Sequence, residues 1–437
     1  MIANMLDIKF IRENADAVRA AAKNKNIDPA LVDDLLKADA ARRTAMAAAE
    51  AIRAEQKKAN DREAGATLKE RFRAEEEKLK PLEKRYEELM AKMPTVPSPD
   101  TPVGAGDEDN KEIFRWVPKD RQDGHGGIAP FGFAPKDHME LGTALDILDF
   151  ERGTKVGGFR GYYVKNDGVL LEMGIMMYAL NKMVEKGYAP MIPPTLVKGF
   201  ALFGSGYFKG LEYDPEVDEI YQIATSDKEA GGEASKDKKF LVGTAEPSLL
   251  AYYSDQVLAE GDLPVKNSGY SQCYRSEIGS YGKDTKGMYR VHEFMKVEQV
   301  VVAPADVDMM NTLQDEMTGI SGEMHEELGL PYRRLQICTG DMSAGKYRAF
   351  DLEAWLPGMN RWAETGSASS FGDWQSRRLN IKYVDKSGER KYAYLLNNTA
   401  LPSPRVFIAI LENYQTADGK VMVPEVLQKY VGKKVIG

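Results

Sequence analysis

Hydrophobic residues in the N-terminal part of the chain recur at a spacing typical of helices. From 33 to 93, β-branched residues, proline and glycine are nearly absent while Ala, Glu, Lys and Arg predominate, which favours long helices. The second half of this stretch has apolar positions alternately four and three residues apart, with one polar member, which predicts a coiled-coil seam. Its members are Leu68, Phe72, Glu75, Leu79, Leu82, Tyr86, Leu89 and Met93. A weaker seam in the first half comprises Leu31, Leu35, Ala38, Ala45, Ala49 and Ile52.

Polar and small residues at 60–67 predict a turn that folds the two helices into an antiparallel hairpin. Each helix would extend roughly 40 Å at about 1.5 Å per residue. Pro81 should kink the second helix. On composition alone, such a hairpin is more often a dimerisation coiled coil or a spacer than a binding element.

A proline-rich stretch at 94–104 cannot continue a helix, because proline lacks the backbone donor and restricts the residue before it. We therefore expect an N-terminal helical domain at 1–103 and a second domain at 104–437. In the second domain, short β-branched and aromatic runs with few βαβ units predict an α+β fold on an antiparallel sheet. The predicted strands are 161–165, 269–277, 288–302, 347–355, 379–384 and 391–396, and the predicted helices include 170–186 and 307–328. The hydrophilic stretch 226–239 is expected to be an exposed loop.

Composition and charge narrow the possible settings and partners. The two cysteines, Cys273 and Cys338, cannot form a disulfide framework and are interpreted as small buried hydrophobes, so a reducing, cytoplasmic setting is expected. The N-terminus lacks the basic start and apolar run of a signal peptide, and no apolar stretch of about 18 residues is present. The net charge of -8 argues against indiscriminate nucleic-acid binding. Residues 37–93 nevertheless carry 15 Lys and Arg against 12 Asp and Glu, so a polyanion would prefer this region.

The chain has neither GxxxxGK[ST] nor GxGxxG after a strand, so phosphate would have to be bound by side chains. The densest set of suitable residues lies at 274–298, interpreted as two strands joined by a flexible loop. Because alternate strand residues share a face, Arg290, Phe294 and Glu298 should point the same way, as should Arg275 and Glu277 on the preceding strand. Arginine can chelate phosphate, an aromatic ring can stack on a base, and a carboxylate can accept from an ammonium or hydroxyl group. A solvated hairpin is an equally good interpretation of this segment taken alone.

Two further segments carry groups suited to a nucleotide. Glu364 precedes a run of hydroxyl residues, oxygens that suit Mg²⁺ together with phosphate, although the run could equally be a polar turn. Arg405 opens an apolar helix at 406–414, where an arginine beside a helix N-terminus is well placed for a polyphosphate. His292 shares the charged face but is left without a role, because a lone histidine is more often structural than catalytic.

In this order along the chain, these segments resemble the bacterial-type seryl-tRNA synthetases, which are class II aminoacyl-tRNA synthetases. The resemblance covers nearly the whole chain. It is carried by Thr244-Ala245-Glu246, Arg275-Ser276-Glu277 with its long loop, Arg290-Val291-His292 through Lys296-Val297-Glu298, the run 351–358 and the ending 410–427.

The resemblance implies a class II catalytic domain at 104–437, preceded at 1–103 by a tRNA-binding arm built on a long coiled-coil hairpin. The implied activity is that of a serine-tRNA ligase, which activates L-serine with ATP to seryl-adenylate and transfers it to tRNA(Ser), with Mg²⁺ as cofactor. Charging of tRNA(Sec) is left open. The resemblance also implies a homodimer whose interface includes the segment ending at Pro193-Pro194.

The resemblance assigns roles to individual residues as well. Arg275 would bind the α-phosphate and the serine carboxylate, Glu364 and Ser367 would bind the metal, and Arg405 would contact the γ-phosphate; Arg275, Glu364 and Arg405 are the expected catalytic residues. The expected ATP-binding residues are Arg275, Ser276, Glu277, Arg290, Phe294, Glu364, Thr365, Gly366, Ser367 and Arg405, with Phe294 stacked on adenine. The expected serine pocket comprises Thr244, Ala245, Glu246, Arg275, Glu298, Asn397 and Thr399.

The chain also departs from the family pattern. Family members commonly have glycines where this chain has Asn398, Ala400 and Pro404, so the shape of the pocket there is an open question. The segment 121–133 looks like an insertion. Two other functions stay open at this point: a ligase that loads a carrier protein, whose relatives lack the long arm, and a non-catalytic coiled-coil interaction protein.

Overall fold

The computed structural model describes residues 7–58, 62–224, 228, 232–233, 238–278 and 286–437. The tip of the predicted hairpin, most of the hydrophilic stretch 226–239 and the centre of the predicted loop before Arg290 lie outside these ranges.

Four helices form the N-terminal helical segment, residues 7–93: α1 Ile8–Glu13, α2 Ala15–Asn24, α3 Ala30–Lys58 and α4 Arg62–Met90. Helices α3 and α4 form the predicted antiparallel hairpin, since Arg42 lies over Tyr86 and Arg53 over Phe72. All positions of both predicted seams are at least partly buried. The turn predicted at 60–67 is too long, because α4 already begins at Arg62 and the surrounding helix formers outweigh a single glycine. Helix α4 continues through Pro81.

The base of the hairpin packs on the second part of the chain. Leu35, Leu89 and Met93 form one apolar cluster with Trp374. The indole Nε1 of Trp374 donates to the carbonyl of Met93 at 3.1 Å. The guanidinium of Arg378 lies 3.4 Å from the centre of the Trp374 ring and donates to the carbonyl of Ala91 at 2.6 Å. The helical segment is thus fixed at its base by packing and by hydrogen bonds.

The second part of the chain is an α+β structure built on a large sheet, as predicted. Eight strands lie in the order β1-β11-β12-β13-β16-β10-β9-β4, and all neighbours are antiparallel except β4 and β9. The strands are β1 Lys111–Trp116, β2 Leu148–Asp149, β3 Tyr163–Val164, β4 Ala189–Met191, β5 Leu196–Lys198, β6 Gln222–Ile223, β7 Lys239–Leu241, β8 Val257–Ala259, β9 Val265–Tyr274, β10 Glu293–Ala303, β11 Tyr332–Gln336, β12 Arg348–Leu356, β13 Arg361–Gly372, β14 Lys382–Val384, β15 Arg390–Tyr392, β16 Tyr394–Pro402, β17 Val421–Met422 and β18 Val435–Ile436. The helices are α5 His138–Ala144, α6 Phe150–Gly157, α7 Asp167–Glu185, α8 Gly199–Ser205, α9 Glu246–Ala251, α10 Val307–Glu327, α11 Trp374–Leu379, α12 Ser403–Asn413 and α13 Glu425–Val431.

The two faces of the sheet have different neighbours. Val297 and Val301 of β10 pack in the larger core with helices α7, α10 and α12. Val300 and Val302 point to the opposite face, where they pack against α9 and the segment after α11. Alternation along β10 places Phe294 on the same side as Val300, where it lines a cavity while its ring also contacts the edge of the larger core.

Some predicted strands differ from the observed ones. The strand predicted at 391–396 is two strands, β15 and β16, and the run predicted at 379–384 is the end of α11 followed by β14. The hydroxyl-rich run after Glu364, for which a polar turn is one of two interpretations, belongs to strand β13 in the middle of the sheet. The segment 121–133 forms a loop in which Arg121 lies over Phe131 and donates to the carbonyl of Asn413.

A buried carboxylate connects several of these elements. Glu412, on α12, accepts hydrogen bonds from the backbone N–H and the Nδ1–H of His138, at 3.1 and 3.2 Å. Its other oxygen accepts from the N–H groups of Gly358 and Met359, at 2.9 and 3.2 Å. The Nε2 of His138 accepts from the N–H of Met288 at 3.3 Å, which fixes the tautomer of the ring. One side chain thus joins α5, α12, the β12–β13 turn and the backbone just before Arg290.

In the part of the chain that the structure describes, no helix is long and apolar enough to cross a membrane.

Candidate active site

Two adjoining cavities open on the face of the sheet that carries Phe294. The larger, of about 800 Å³, extends to the base of the helical segment. The smaller, of about 50 Å³, lies toward α12. Both are lined by Arg275, Lys296, Glu364 and Thr399.

Most of the predicted site residues line these cavities. Around the larger cavity lie Glu246, Arg275, Glu298, Glu364, Ser367, Asn397 and Thr399. Around the smaller lie Arg275, Glu277, Arg290, Phe294, Glu364, Thr365, Gly366, Thr399 and Arg405. Residues that are far apart in the sequence therefore meet at one place.

The prediction that strand alternation brings these side chains together is only partly correct. Strand β9 ends at Tyr274 and β10 begins at Glu293, so Arg275, Glu277 and Arg290 lie in loops, where strand alternation does not apply. Glu277 has a left-handed backbone with φ of 55°. Its carboxylate is held by ion pairs with Arg160 at 3.2 Å and Arg290 at 3.4 Å. Ion pairing places these side chains together.

Arg275 and Phe294 are in contact. The guanidinium carbon of Arg275 lies 5.4 Å from the centre of the Phe294 ring, and its Nε donates to the carbonyl of Gly243 at 3.3 Å. The carbonyl of Arg275 accepts from the Nδ1–H of His292 at 2.8 Å. His292 thus has a structural role in holding the arginine backbone.

Arg405 and Glu364 form the second charged contact of the site. The Nη1 of Arg405 lies 3.0 Å from Oε2 of Glu364 and donates to the backbone carbonyl of the same residue at 3.1 Å. Burial acts to raise the pKa of Glu364, but the guanidinium groups of Arg405 and Arg275 outweigh it and lower that pKa. The guanidinium of Arg405 also lies over the ring of Tyr289, at 4.6 Å. The carboxylate of Glu364 is 39% exposed and faces the cavity.

Asp351 lies behind this pair on β12, opposite Ser367 of β13. Burial, together with the negative charge of Glu364, raises the pKa of Asp351 to about 7. Among the residues the structure describes, no group of three or more His, Cys, Asp and Glu side chains could hold a metal ion by itself. The carboxylate of Glu364 and the hydroxyl of Ser367 are the protein oxygens that could share a hard cation with phosphate.

Glu246 forms the polar end of the larger cavity. One of its oxygens accepts from the amide groups of Asn397 at 2.6 Å and Gln375 at 2.7 Å. The other accepts from the hydroxyl of Tyr207 at 3.2 Å. Burial and, to a smaller extent, the nearby negative charge of Glu298 raise the pKa of Glu246 to about 7.

A second polar group lies beside it on the sheet. Lys296 pairs with Glu298 and lies 3.4 Å from the hydroxyl of Thr399, which is itself 3.4 Å from the carboxylate of Glu298. All three side chains are nearly buried. The cavity thus contains the carboxylates of Glu246 and Glu298, which can bind an ammonium group. It also contains the hydroxyl of Thr399, which can form a hydrogen bond with a second hydroxyl group.

Three predicted site residues do not line either cavity. Ala245 packs in the apolar cluster under β10. The hydroxyls of Thr244 and Ser276 are buried and have no hydrogen-bond partner among the described residues. Thr244 and Ser276 directly follow two cavity-lining residues in the chain, Gly243 and Arg275.

Sequence reasoning gave no role to several residues of the site. Lys296 lies between Phe294 and Glu298 in the alternation of β10, so the same periodicity could have identified it. Arg160 and Gln375 are more than a hundred residues from their partners Glu277 and Glu246, and no local pattern marks them. Tyr289, which stacks under Arg405, gave no signal either.

The structure also explains how the chain accommodates its departures from the family pattern. The side chain of Asn398 donates to the carbonyl of Met317 at 2.9 Å and to the hydroxyl of Ser321 at 2.8 Å, so it fastens β16 to α10. Ala400 lies in the core at an irregularity in the pairing of β16 with β10. Pro404 occupies the first turn of α12, where its missing donor is tolerated. Strand β16 extends to Pro402, beyond the predicted strand end at Leu396, and α12 begins directly after it.

Comparison with known proteins identifies the family to which the chain belongs. A family model described as tRNA synthetase class II core domain (G, H, P, S and T) matches residues 228–414, and one described as seryl-tRNA synthetase N-terminal domain matches residues 5–62. The chain is 38% identical to a serine–tRNA ligase of Treponema denticola, over 99% of this chain and 100% of that one. It is 38% identical to a serine–tRNA ligase of Corynebacterium glutamicum, over 99% and 98%. The chain belongs to the serine–tRNA ligase family.

Solved structures of serine–tRNA ligases have the same fold. A seryl-tRNA synthetase from Pyrococcus horikoshii, complexed with ATP, superposes with a TM-score of 0.87 at 32% identity, covering 99% of each chain. A cytoplasmic serine-tRNA ligase from Naegleria fowleri, in complex with AMP, gives a TM-score of 0.83 at 28% identity, covering 99% and 98%. The serine–tRNA ligase fold therefore includes both the helical segment and the sheet.

Replacing Glu246 with glutamine in this serine–tRNA ligase should change how stability depends on pH. The folded-state pKa of Glu246 is raised from an ordinary 4.5 to about 7, so the folded protein binds more protons between these values. The free energy of unfolding of the unchanged protein therefore falls as pH rises through this range, by an amount on the order of 3 kcal/mol. Glu246→Gln removes this term while its oxygen can still accept from Asn397 and Gln375.

Urea unfolding at several pH values between about 5 and 8 measures this effect. The variant is expected to gain stability relative to the unchanged protein as pH rises. Parallel dependences for the two proteins would contradict a strongly raised pKa at Glu246.

Proposed function

We propose that the chain activates L-serine with ATP, forming seryl-adenylate and pyrophosphate, and then transfers the seryl group to the 3′ end of tRNA(Ser). The observation that carries the proposal is the adjacency of two kinds of groups. Arginines and Glu364 line the smaller cavity, and the buried polar set of Glu246, Glu298 and Thr399 lines the larger one. The first set suits a nucleotide and the second suits a small amino acid with a hydroxyl.

In the proposed first step, the serine carboxylate attacks the α-phosphorus. A bond forms between a carboxylate oxygen and phosphorus, the bond to the bridging oxygen breaks, and pyrophosphate leaves. Arg275, which lies at the boundary of the two cavities, would hold the serine carboxylate and the α-phosphate next to each other. Arg405 would stabilise the charge on the leaving phosphates, because a guanidinium can bind phosphate through two parallel hydrogen bonds.

Glu277 and Arg290 are proposed to hold ATP, and Phe294 to stack on the adenine. At present Arg275 lies over the Phe294 ring, so a base that stacks there must replace this contact. Ser276, Thr365 and Gly366 complete the proposed ATP site. Glu364 is paired with Arg405 in the structure, and a new partner would replace Arg405 when substrate binds.

The ATP reaction is proposed to use Mg²⁺. The donor set fits this ion, since Glu364 offers an exposed carboxylate and Ser367 a hydroxyl on the same strand, and Mg²⁺ usually takes few protein oxygens beside phosphates and water. When bound, the ion would neutralise negative charge on the phosphates. The protein's own part is to hold Glu364 in place, which its position on the central strand β13 does.

The serine side chain and ammonium are proposed to bind in the polar end of the larger cavity. Glu246 and Glu298 would receive the ammonium and the hydroxyl, with Thr244, Asn397 and Thr399 as further partners. Alanine would leave these buried groups unpaired, and burying an unpaired polar group costs about 1–3 kcal/mol. The site would therefore prefer serine to alanine.

Pyrophosphate exchange with ATP, measured with serine, threonine, alanine and glycine in parallel, tests the substrate. We expect the highest kcat/KM with serine. Thr399→Val keeps the shape but removes the hydroxyl, so it should lower the serine-to-alanine ratio of kcat/KM about tenfold. Thr399→Ser keeps the hydroxyl and serves as the matched control, with a ratio close to that of the unchanged enzyme. Exchange that is fastest with another amino acid would refute serine as the substrate.

The helical segment is proposed to be the tRNA-binding arm, with a domain boundary near 103. Its hairpin extends beyond the cluster at its base, and residues 37–93 carry a net positive charge. A carrier-protein ligase would not need this arm, and a non-catalytic protein would not need the paired arginines and carboxylates of the site.

A variant with a shortened hairpin tests the role of the arm in tRNA binding separately from the role of the site in serine activation. Replacing residues 46–82 by a short turn keeps Leu35, Leu89 and the contact of Arg42 with Tyr86. Serine-dependent exchange should persist, whereas tRNA charging should fall at least about 100-fold, because contacts with several phosphates are lost. Unchanged charging of tRNA(Ser) by the shortened protein would refute the arm as the tRNA-binding element.

The active form is proposed to be a homodimer. Helix α7 has an exposed apolar stripe at Val169, Met173, Met177 and Val184, and Ile192, just before Pro193, is 82% exposed. Large contiguous apolar patches on a protein surface usually mark an interface. The segment ending at Pro193-Pro194 continues this stripe beyond the helix.

Glutamates placed in the stripe should separate the subunits. Met173→Glu with Met177→Glu would bury two charges in the interface, so sedimentation should show a monomer where the unchanged protein is a dimer. Met422→Glu is the matched control, since Met422 is a similarly exposed methionine on β17, outside the stripe. A dimer that persists in the double variant would place the interface elsewhere.

Two finer points complete the proposal. The cytoplasm is the proposed site of action, and tRNA(Sec) is proposed as a second acceptor that the same arm would recognise. Charging of purified tRNA(Sec) tests the second acceptor directly.

A further inference from the structure

The larger cavity differs in charge between its two ends. Carboxylates lie at the end formed by the sheet, and lysines lie where the cavity meets the helical segment. The lysines of this mouth are Lys25, Lys92, Lys209 and Lys346. None of the four forms an ion pair with a carboxylate of the part of the chain that the structure describes.

Lys25 is the most buried of them. It follows α2 and is 4% exposed, and its ammonium donates to the carbonyls of Ala344 at 2.9 Å and Lys346 at 2.6 Å. A buried cation held only by carbonyls is costly, because no opposite charge offsets its lost hydration. Burial and the nearby charge of Lys346 lower the pKa of Lys25 well below its usual value. An anion in the cavity would stabilise the charged form.

Lys346 lies in the segment that Lys25 holds. Its side chain lines the cavity and forms neither a hydrogen bond nor an ion pair with any described residue. The same wall is fastened to the helical segment by Asn26, whose amide donates to the carbonyls of Ala105 and Gly340 at 3.1 and 3.0 Å. Lys25 thus holds the backbone of residue 346 in place. The charge of Lys346 lies close enough to the carboxylates of Asp351 and Glu364 to act on them, without forming an ion pair with either among the described residues.

Apolar side chains lie near the lysines in the same cavity. Ile27 and Leu31 line it from the helical segment, and Phe371 and Trp374 from the end of β13 and the start of α11. Ile27 and Leu31 are partly exposed in this wall, whereas Phe371 and Trp374 are buried and Arg378 covers the Trp374 ring. Contacts with the phosphates of an unpaired nucleotide strand would therefore come from the lysines. Of the arginines that suit ATP, Arg290 and Arg405 line only the smaller cavity, whereas Arg275 lines both.

We propose that Lys25 and Lys346 form a phosphate subsite at the mouth of the larger cavity, which binds the phosphodiester backbone of the unpaired 3′ end of tRNA. The inference rests on the proposed function and adds a route by which the tRNA end reaches the activated amino acid. In this arrangement the helical segment supplies part of the cavity wall as well as the arm.

The test compares Lys346→Met with the unchanged enzyme, using intact tRNA(Ser) and the same tRNA lacking its unpaired 3′ nucleotides. Removing one charge-assisted phosphate contact should weaken binding of intact tRNA about tenfold. Binding of the shortened tRNA should change by less than about twofold, because the partner of the lysine is already gone. The slope of log Kd against log salt for intact tRNA should decrease by about 0.7.

Lys119→Met is the matched control, since Lys119 is exposed and lies outside both cavities. Lys346→Met is preferred to a variant of Lys25, because Lys25 bonds to the backbone of residue 346 and those bonds survive the change. Equal weakening for intact and shortened tRNA, or no weakening, would overturn the subsite.

Serine-dependent pyrophosphate exchange tests whether Lys346 instead contacts the phosphates of ATP or pyrophosphate. If Lys346→Met lowers serine-dependent exchange as much as tRNA charging, the lysine serves ATP or pyrophosphate and the proposal is wrong. Absence of exchange in the unchanged enzyme would refute the proposed function instead, and the comparison of the two tRNAs would still decide the subsite.

Discussion

The geometry of the site depends on the buried carboxylate of Glu412. Four N–H groups donate to it, from His138, Gly358 and Met359, so its lone pairs are satisfied inside the core. Removing any one of these elements would leave a buried polar group unpaired, at a cost of about 1–3 kcal/mol for each group. The carboxylate thus holds the N-terminus of α5, the β12–β13 turn and α12 in one arrangement. These elements lead directly to Glu364 on β13 and to Arg405 at the start of α12, and His138 extends the same contact to the backbone before Arg290.

Above this buried contact, the charged groups of the site pair with one another. Arg405 pairs with Glu364, Glu277 with Arg160 and Arg290, and Lys296 with Glu298. Each pair offsets the cost of placing charge in a poorly hydrated cavity, and it also fixes the direction of each side chain. A substrate with charges of both signs can replace one partner of such a pair without leaving the other unpaired. Preorganised groups of this kind stabilise developing charge without further rearrangement.

Periodic patterns in the sequence predicted much of this arrangement, and long-range pairing explains the rest. The seam from Leu68 to Met93 predicted the hairpin, and alternation along β10 placed Phe294 and Glu298 on one face. Alternation failed where the chain leaves the strand, as at Glu277, whose left-handed backbone is held by an arginine more than a hundred residues away. It also missed β13, because a central strand lined by hydroxyls and glycine has no apolar period. The family resemblance supplied the expected site residues, but the partners of these side chains required the structure.

The helical segment contributes to the site even though the hairpin extends away from it. Met93 accepts from Trp374, and Trp374 supports Arg378, so the end of α4 and the start of α11 form one packed unit. Gln375, the next residue on α11, donates to Glu246 at the polar end of the cavity. A displacement of the hairpin base would therefore reach Glu246 through rigid, buried contacts. The base of the hairpin and the polar end of the cavity thus share one packed unit.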